Sequence, residues 1–183
     1  VKPEELPVNE TNPFRPINPY SVSKIAQDYL GYQYFLSHGL PVVRLRPFNH
    51  IGPRQGPNFV VADFSRQIAE AEAGKRPPVI HVGSLDTQRD FTDVRDMVRA
   101  YHLALTLGEL GEVYNIGSER SWAIGDILQR LLALSTAKIA VQPDEARIRP
   151  TDIPVLRCDC AKFRARTGWR PEIPLDVTLA DVL

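Results

Sequence analysis

Residues 18 to 48 place a helix start, a helix stop and an apolar run in direct succession, and this stretch constrains the fold more than any other. Asn18 can cap a helix whose first position is Pro19, where a missing N–H costs nothing. The helix is predicted to run to about residue 37, with Val22, Ile25, Ala26, Tyr29 and Leu36 on a broadly apolar side. Gly39 is placed to stop it. "PVVRLRPF" (41–48) then reads as a buried strand that empties into a turn-rich loop, "NHIGPRQGPN", ending near Asn58. The rest of the chain repeats this alternation. Residues 59–73 read as a helix closed by Gly74, "PVIHV" as a short strand and "GSLDTQRDFTD" as a polar loop. Residues 94–107 read as an amphipathic helix with Val94, Met97, Val98, Tyr101 and Leu105 at helical spacing. "EVYNIG" reads as a strand, 121–134 as a helix, "IAVQ" as a strand, and the tail ends in a short helix. Helices alternating with short strands favour an α/β architecture, and ligands in such folds sit where strands empty into loops.

Charge and length narrow the function classes. Basic and acidic residues are both 22, so the chain lacks the basic excess of a phosphate-tracking nucleic-acid binder. No apolar run approaches the ~18 residues needed to span a bilayer, so no membrane role is expected. The start, "VKPEELPVNE", lacks the basic and apolar regions of a signal peptide, and without an initiator methionine the chain is expected to be an excerpt of something longer. Its 183 residues suffice for one compact domain with a sizeable core. Cys158 and Cys160, in "CDC", are expected to be reduced thiols of a cytoplasmic protein, with no metal site around them.

Tyr20 and Lys24, in "NPYSVSK", stand one helical turn apart on one face. A free phenol, with a pKa near ~10, exchanges protons poorly at neutral pH. A fixed ammonium beside it favours the phenolate, which is what a general acid/base needs. On spacing alone, a half-exposed tyrosine beside a solvated lysine is the favoured reading. His38, His81 and His102 read as structural or solvated, Trp169 as packing for the tail, and Tyr29, Tyr32, Tyr34 and Phe35 as packing.

The wider pattern separates those alternatives. "NPYSVSK", "RLRPFNHIGPRQ", "RDFTDVRDMV", "RPTD" and "TGWRP", in that order over nearly the whole chain, resemble the extended short-chain dehydrogenase/reductase family. "RPFNHIGPRQ", "FVVADFSRQI" and "RDFTDVRDMVRAY" are most similar to its GDP-mannose branch. The resemblance implies the C-terminal part of a Rossmann-type NAD(P)-binding fold interleaved with a small α/β substrate domain. Residues 1–50 would end the Rossmann domain, and 51–183 would mainly bind the sugar nucleotide, with about 87–117 returning to the Rossmann domain. The implied activity is NAD(P)-dependent reduction of a GDP-4-keto-6-deoxy-hexose to a GDP-deoxyhexose such as GDP-rhamnose. The alternatives are 4,6-dehydration of GDP-mannose, epimerisation of another nucleotide sugar, and non-catalytic sugar-nucleotide binding.

By the same resemblance, Tyr20 would protonate the C4 oxygen, and Lys24 would tune Tyr20 and hold the nicotinamide ribose. Pro47, Phe48 and His50 would lie beside the cofactor, which is NADP or NAD. Asn49, Arg89, Arg149 and Asp152 would bind the substrate, the arginines because their forks match phosphate oxygens. The Tyr-bearing helix would form a homodimer interface. Two features depart from the pattern. The glycine-rich turn that cradles a pyrophosphate is absent, as is the catalytic Ser or Thr strand, so the isolated chain is expected to bind NAD(P) poorly, to be inactive and to be unstable. Ala62 and Asp63 stand where dehydratases carry a lysine, which leans towards the reductase.

Overall fold

The structure, a computed structural model, describes residues 1–148 and 153–183. Helix α1 (Pro19–His38) begins where the Asn18 side chain accepts from the Ser21 backbone N–H at 2.8 Å. It ends where Gly39 takes a φ of 61°, a conformation that favours glycine. The chain then runs through β1 (Arg44–Pro47), β2 (Asn49–Ile51), α2 (Val60–Glu72), β3 (Val79–Val82), β4 (Gln88–Asp93) and α3 (Val94–Leu107). After these come β5 (Val113–Ile116), β6 (Ser121–Ala123), α4 (Ile124–Leu134), β7 (Ala140–Pro143), α5 (Ala161–Thr167) and α6 (Leu175–Val182).

Among the described residues the strands form three small sheets. β1 runs parallel to β5, with Leu45 beside Tyr114 and Pro47 beside Ile116. β4 is central in the second sheet, parallel to β2 on one side and antiparallel to β6 on the other. β3 pairs with β7, also parallel. Two apolar clusters hold these sheets to their helices. One joins α2, α4 and α6 to β2, β3 and β4 through Phe64, Ile68, Ile80, Phe91, Ile127, Leu128, Leu131 and Leu179. The other joins α3, β5, α5 and the tail through Met97, Ala100, Ala104, Tyr114, Ile116, Phe163 and Trp169.

Several expectations need correction. The run at 41–48 is half-buried rather than buried, and only Arg44–Pro47 is strand. Leu45 packs against the second cluster, while Arg44 and Arg46 face Asp28 of α1, so one side of the strand is ionic. Both expected loops contain strands: β2 occupies residues 49–51, and β4 occupies 88–93 with Asp90, Phe91, Thr92 and Asp93 buried. The helix expected over 121–134 begins with strand β6 and becomes helical only at Ile124. On α3 the buried residues include Met97, Ala100 and Ala104, while Val98 and Leu105 are 60% and 84% exposed. Small side chains bring this helix close to its neighbours. On α1 the half-buried positions include Ile25, Asp28, Tyr32 and Phe35, whereas Val22, Ala26, Tyr29 and Leu36 are exposed.

Candidate active site

Tyr20 lies in the first turn of α1 and is 69% exposed. The Lys24 ammonium stands 5.5 Å from the centre of the Tyr20 ring, within cation–π range, and donates to Gln27 Oε1 at 3.2 Å. Facing this helix is the passage from β1 to β2. There the Phe48 N–H donates to the Ile116 carbonyl at 2.8 Å, which fixes the turn carrying Pro47, Phe48 and Asn49. His50 Nδ1 lies 3.2 Å from the Phe48 carbonyl, and Gln55 Nε2 donates to the His50 carbonyl at 3.0 Å. Arg89, on β4 opposite Trp122, donates to the Gln88 and Ile153 carbonyls at 2.7 Å each.

Tyr20, Lys24, Pro47, Phe48, Asn49, His50 and Arg89 all line one cavity of about 1970 Å³. Three segments of the fold that are distant in sequence therefore meet at one concave surface, the usual setting for a ligand site. Arg149 and Asp152 lie outside the described residues.

Two charged groups in the cavity wall were missed by sequence reasoning as site residues. Asp28 Oδ2 accepts from Arg46 Nη2 at 2.7 Å and from Arg44 Nη1 at 3.4 Å. Asp63, buried in the first turn of α2, accepts from Arg66 Nη2 at 2.9 Å, Gln67 Nε2 at 2.8 Å and Arg147 Nη1 at 2.6 Å. The only signals for these were the Arg-x-Arg alternation of β1 and the lone acid after "FVVA". Next to Arg89 stands the fully buried Asp90. Burial pushes its carboxyl above the usual range, against the hydrogen bonds it accepts from the Ser118 hydroxyl and the Cys158 and Ser118 N–H groups. These bonds tie β4, and with it the backbone of Arg89, to the segments at 118 and 158.

The arrangement offers a phenol with an ammonium at its side for proton transfer, and several guanidiniums for an anion. Comparison with known proteins shows the family. Residues 2–182 match the family model described as GDP-mannose 4,6 dehydratase. The GDP-6-deoxy-D-mannose reductase of Pseudomonas aeruginosa is 38% identical over 178 residues, covering 97% of this chain and 59% of the relative. A GDP-mannose 4,6 dehydratase of Cricetulus griseus is 29% identical over 200 residues, covering 100% and 54%. Among solved structures, RMD from Pseudomonas aeruginosa complexed with NADPH superposes with a TM-score of 0.94 at 36% identity, covering 100% of this chain and 61% of that one. The chain thus spans a little over half the length of the curated relatives it matches. The shared fold is the Rossmann-type α/β fold of the NAD(P)-binding enzymes.

Proposed function

Because the chain belongs to the GDP-mannose 4,6-dehydratase family, we propose that it supplies the proton donor and much of the sugar-nucleotide site of an NAD(P)-dependent GDP-4-keto-6-deoxy-hexose reductase. The observation that carries this reading is the convergence of Tyr20, Lys24, the β1–β2 turn and Arg89 on one cavity. Identity of 38% to a GDP-6-deoxy-D-mannose reductase favours reduction over dehydration.

Reduction of a C4 ketone leaves an alkoxide, which must take a proton from a group already in contact with it. Tyr20 is that group, and the ammonium of Lys24 stands beside its ring. Bound NAD(P)H would supply the hydride. The fit to such a cofactor is partial. The phenol, the ammonium and the backbone of the Pro47–Phe48 turn suit a nicotinamide and its ribose, whereas no glycine-rich phosphate turn stands in the sequence. The NADPH complex of RMD supports NADP(H). Asn49 and Arg89 would hold the sugar and diphosphate, together with Arg149 and Asp152.

Residues 1–50 and about 87–117 would belong to the cofactor domain, a division supported by the parallel pairing of β1 with β5. The remainder would bind the sugar nucleotide. The exposed Val22, Ala26, Tyr29 and Leu36 support a homodimer through α1. No helix among the described residues is long and apolar enough to cross a membrane, and we place the enzyme in the cytoplasm.

The test uses the protein that carries this chain at full length, mixed with GDP-4-keto-6-deoxy-D-mannose and NADPH. Loss of nicotinamide absorbance that Tyr20→Phe reduces by a factor of ~100 or more is expected. No loss, with GDP-mannose instead converted to the keto sugar, would make it the dehydratase. Neither reaction, with GDP-sugar binding retained, would leave a binding module.

A further inference from the structure

We propose that Arg44 and Arg46 capture the charge of Asp28 so that the ammonium of Lys24 stays with Tyr20. All three are positioning residues, and the inference rests on the reading of Tyr20 as proton donor. Tyr20, Lys24 and Asp28 follow one another at i, i+4 and i+8, so their side chains form a single stripe on α1. A lysine and an aspartate at this spacing attract each other, and a free Asp28 would draw the ammonium down the helix, away from the phenol.

The structure shows a different arrangement. Asp28 Oδ2 holds Arg46 Nη2 at 2.7 Å and Arg44 Nη1 at 3.4 Å. The three side chains are shielded, with exposures of 10% for Asp28, 12% for Arg44 and 21% for Arg46. Solvent and salt screen such a cluster less than a surface pair.

Each guanidinium is also fixed from other directions. Arg44 lies 4.4 Å from the centre of the Tyr32 ring and donates to the Gly111 carbonyl at 3.0 Å. Arg46 lies 4.5 Å from the centre of the Phe14 ring and donates to the Glu10 carbonyl at 3.0 Å. Two cations on one carboxylate leave its charge fully paired, so it no longer draws the Lys24 ammonium. That ammonium is found at Gln27 and the Tyr20 ring. Arg44 and Arg46 are alternate residues of the strand that leads directly into Pro47–His50, so the cavity-lining turn and the charge trap share one backbone segment.

The experiment measures steady-state turnover of the full-length protein with the keto sugar nucleotide and NADPH, on variants shown to be folded by thermal melting. Arg46→Met should lower kcat about tenfold, a fraction of what general acid catalysis contributes, with KM for the sugar nucleotide within about twofold. Arg46→Gln keeps hydrogen-bonding reach without the charge, and should show the same loss if Arg46→Met does not fold. Adding Asp28→Asn to either variant should restore most of the lost kcat, because no carboxylate then competes for Lys24. A clamp that only holds α1 against β1 predicts the opposite, since the double variant loses still more contacts. A double variant as slow as the single one overturns the proposal, as does an unchanged kcat in Arg46→Met and Arg46→Gln. Tyr20→Phe is run in parallel, and full turnover there would overturn the proton-donor reading itself.

Discussion

Asp96 shows how a buried carboxylate can anchor a chain. It is 2% exposed, yet its Oδ2 accepts from the Glu172 and Ile173 N–H groups at 2.9 Å each, and its Oδ1 accepts from Arg99 at 2.7 Å. The carbonyl of the same residue accepts from the Trp169 indole at 3.1 Å. Asp96→Ala would leave two backbone donors of the tail without their acceptor, and loss of such a network typically costs about 2–4 kcal/mol. Chemical denaturation of the full-length variant should read that loss, with Asp96→Asn less severe because its carbonyl still accepts. The two thiols are buried with weaker polar contacts, such as Arg164 Nη1 at 3.7 Å from Cys160 Sγ. Cys158 and Cys160 are free and 1% exposed, and burial is the main cause that pushes the Cys160 thiol up to about 12 and the Cys158 thiol higher still. Thiolate is the reactive form. Iodoacetamide at pH 8 should therefore label neither cysteine in the native protein and both in urea, as read by intact mass. Labelling of either in the native state would contradict this account of their surroundings.

Element boundaries follow from local rules wherever a cap or stop residue sits at the end. Asp93 accepts from the Arg95 N–H at 2.7 Å and starts α3, while Asn18 and Gly39 bracket α1, and both helices fall where the sequence places them. β4 was not legible, because "QRDFTD" is polar and becomes a buried strand only through distant partners. Ser118 and Cys158 serve Asp90, and Thr178 serves Asp93. The packed face of α3 was hidden for a related reason. Ala100 and Ala104 are buried for their smallness, which hydrophobic periodicity ranks below Val98 and Leu105. Among the residues that line the cavity, Tyr20, Lys24, the 47–50 turn and Arg89 were singled out by motif order. The Asp28–Arg44–Arg46 cluster was not, since it depends on how α1 lies on β1. α1 also meets the turn before β5 closely at Gly111, where φ is 82° and an added Cβ would come within 2.2 Å of the Phe35 ring of α1. Gly111→Ala combines a left-handed backbone conformation with a steric clash, and should destabilise by about 2–4 kcal/mol. A thermal melt reads this, and an unchanged midpoint would mean that α1 shifts freely against the turn before β5.

At the scale of the molecule, the two apolar clusters meet along a polar seam at β4, α3 and α6. Thr178 donates to Asp93 Oδ2 at 2.7 Å, and Arg95 bridges Asp93 and Asp181 at 2.7 Å each. Burial acts to raise the Asp93 carboxyl, but the hydrogen bonds from Arg95 and Thr178 outweigh it and hold the group below its ordinary range. A carboxyl depressed in the folded state contributes stability above its unfolded value, near ~4, and loses that contribution as pH falls through the folded value. Glu112, held low by Lys162, has the same sign. Asp90 has the reverse sign. Its raised carboxyl means that the native protein retains a proton the unfolded chain has released, so stability declines as pH rises from ~4 through the folded value. These opposite slopes can be separated by measuring melting temperatures of full-length variants relative to the parent between pH 3 and pH 7. Asp93→Asn should fall further behind the parent as pH rises from 3, because only the parent gains the seam's ion pairing. Asp90→Asn should instead gain on the parent over the same interval, because it never bears the buried charge. Parallel shifts in the two variants would mean that the carboxylates on either side of Phe91 share one environment, contrary to the separate partners that surround them.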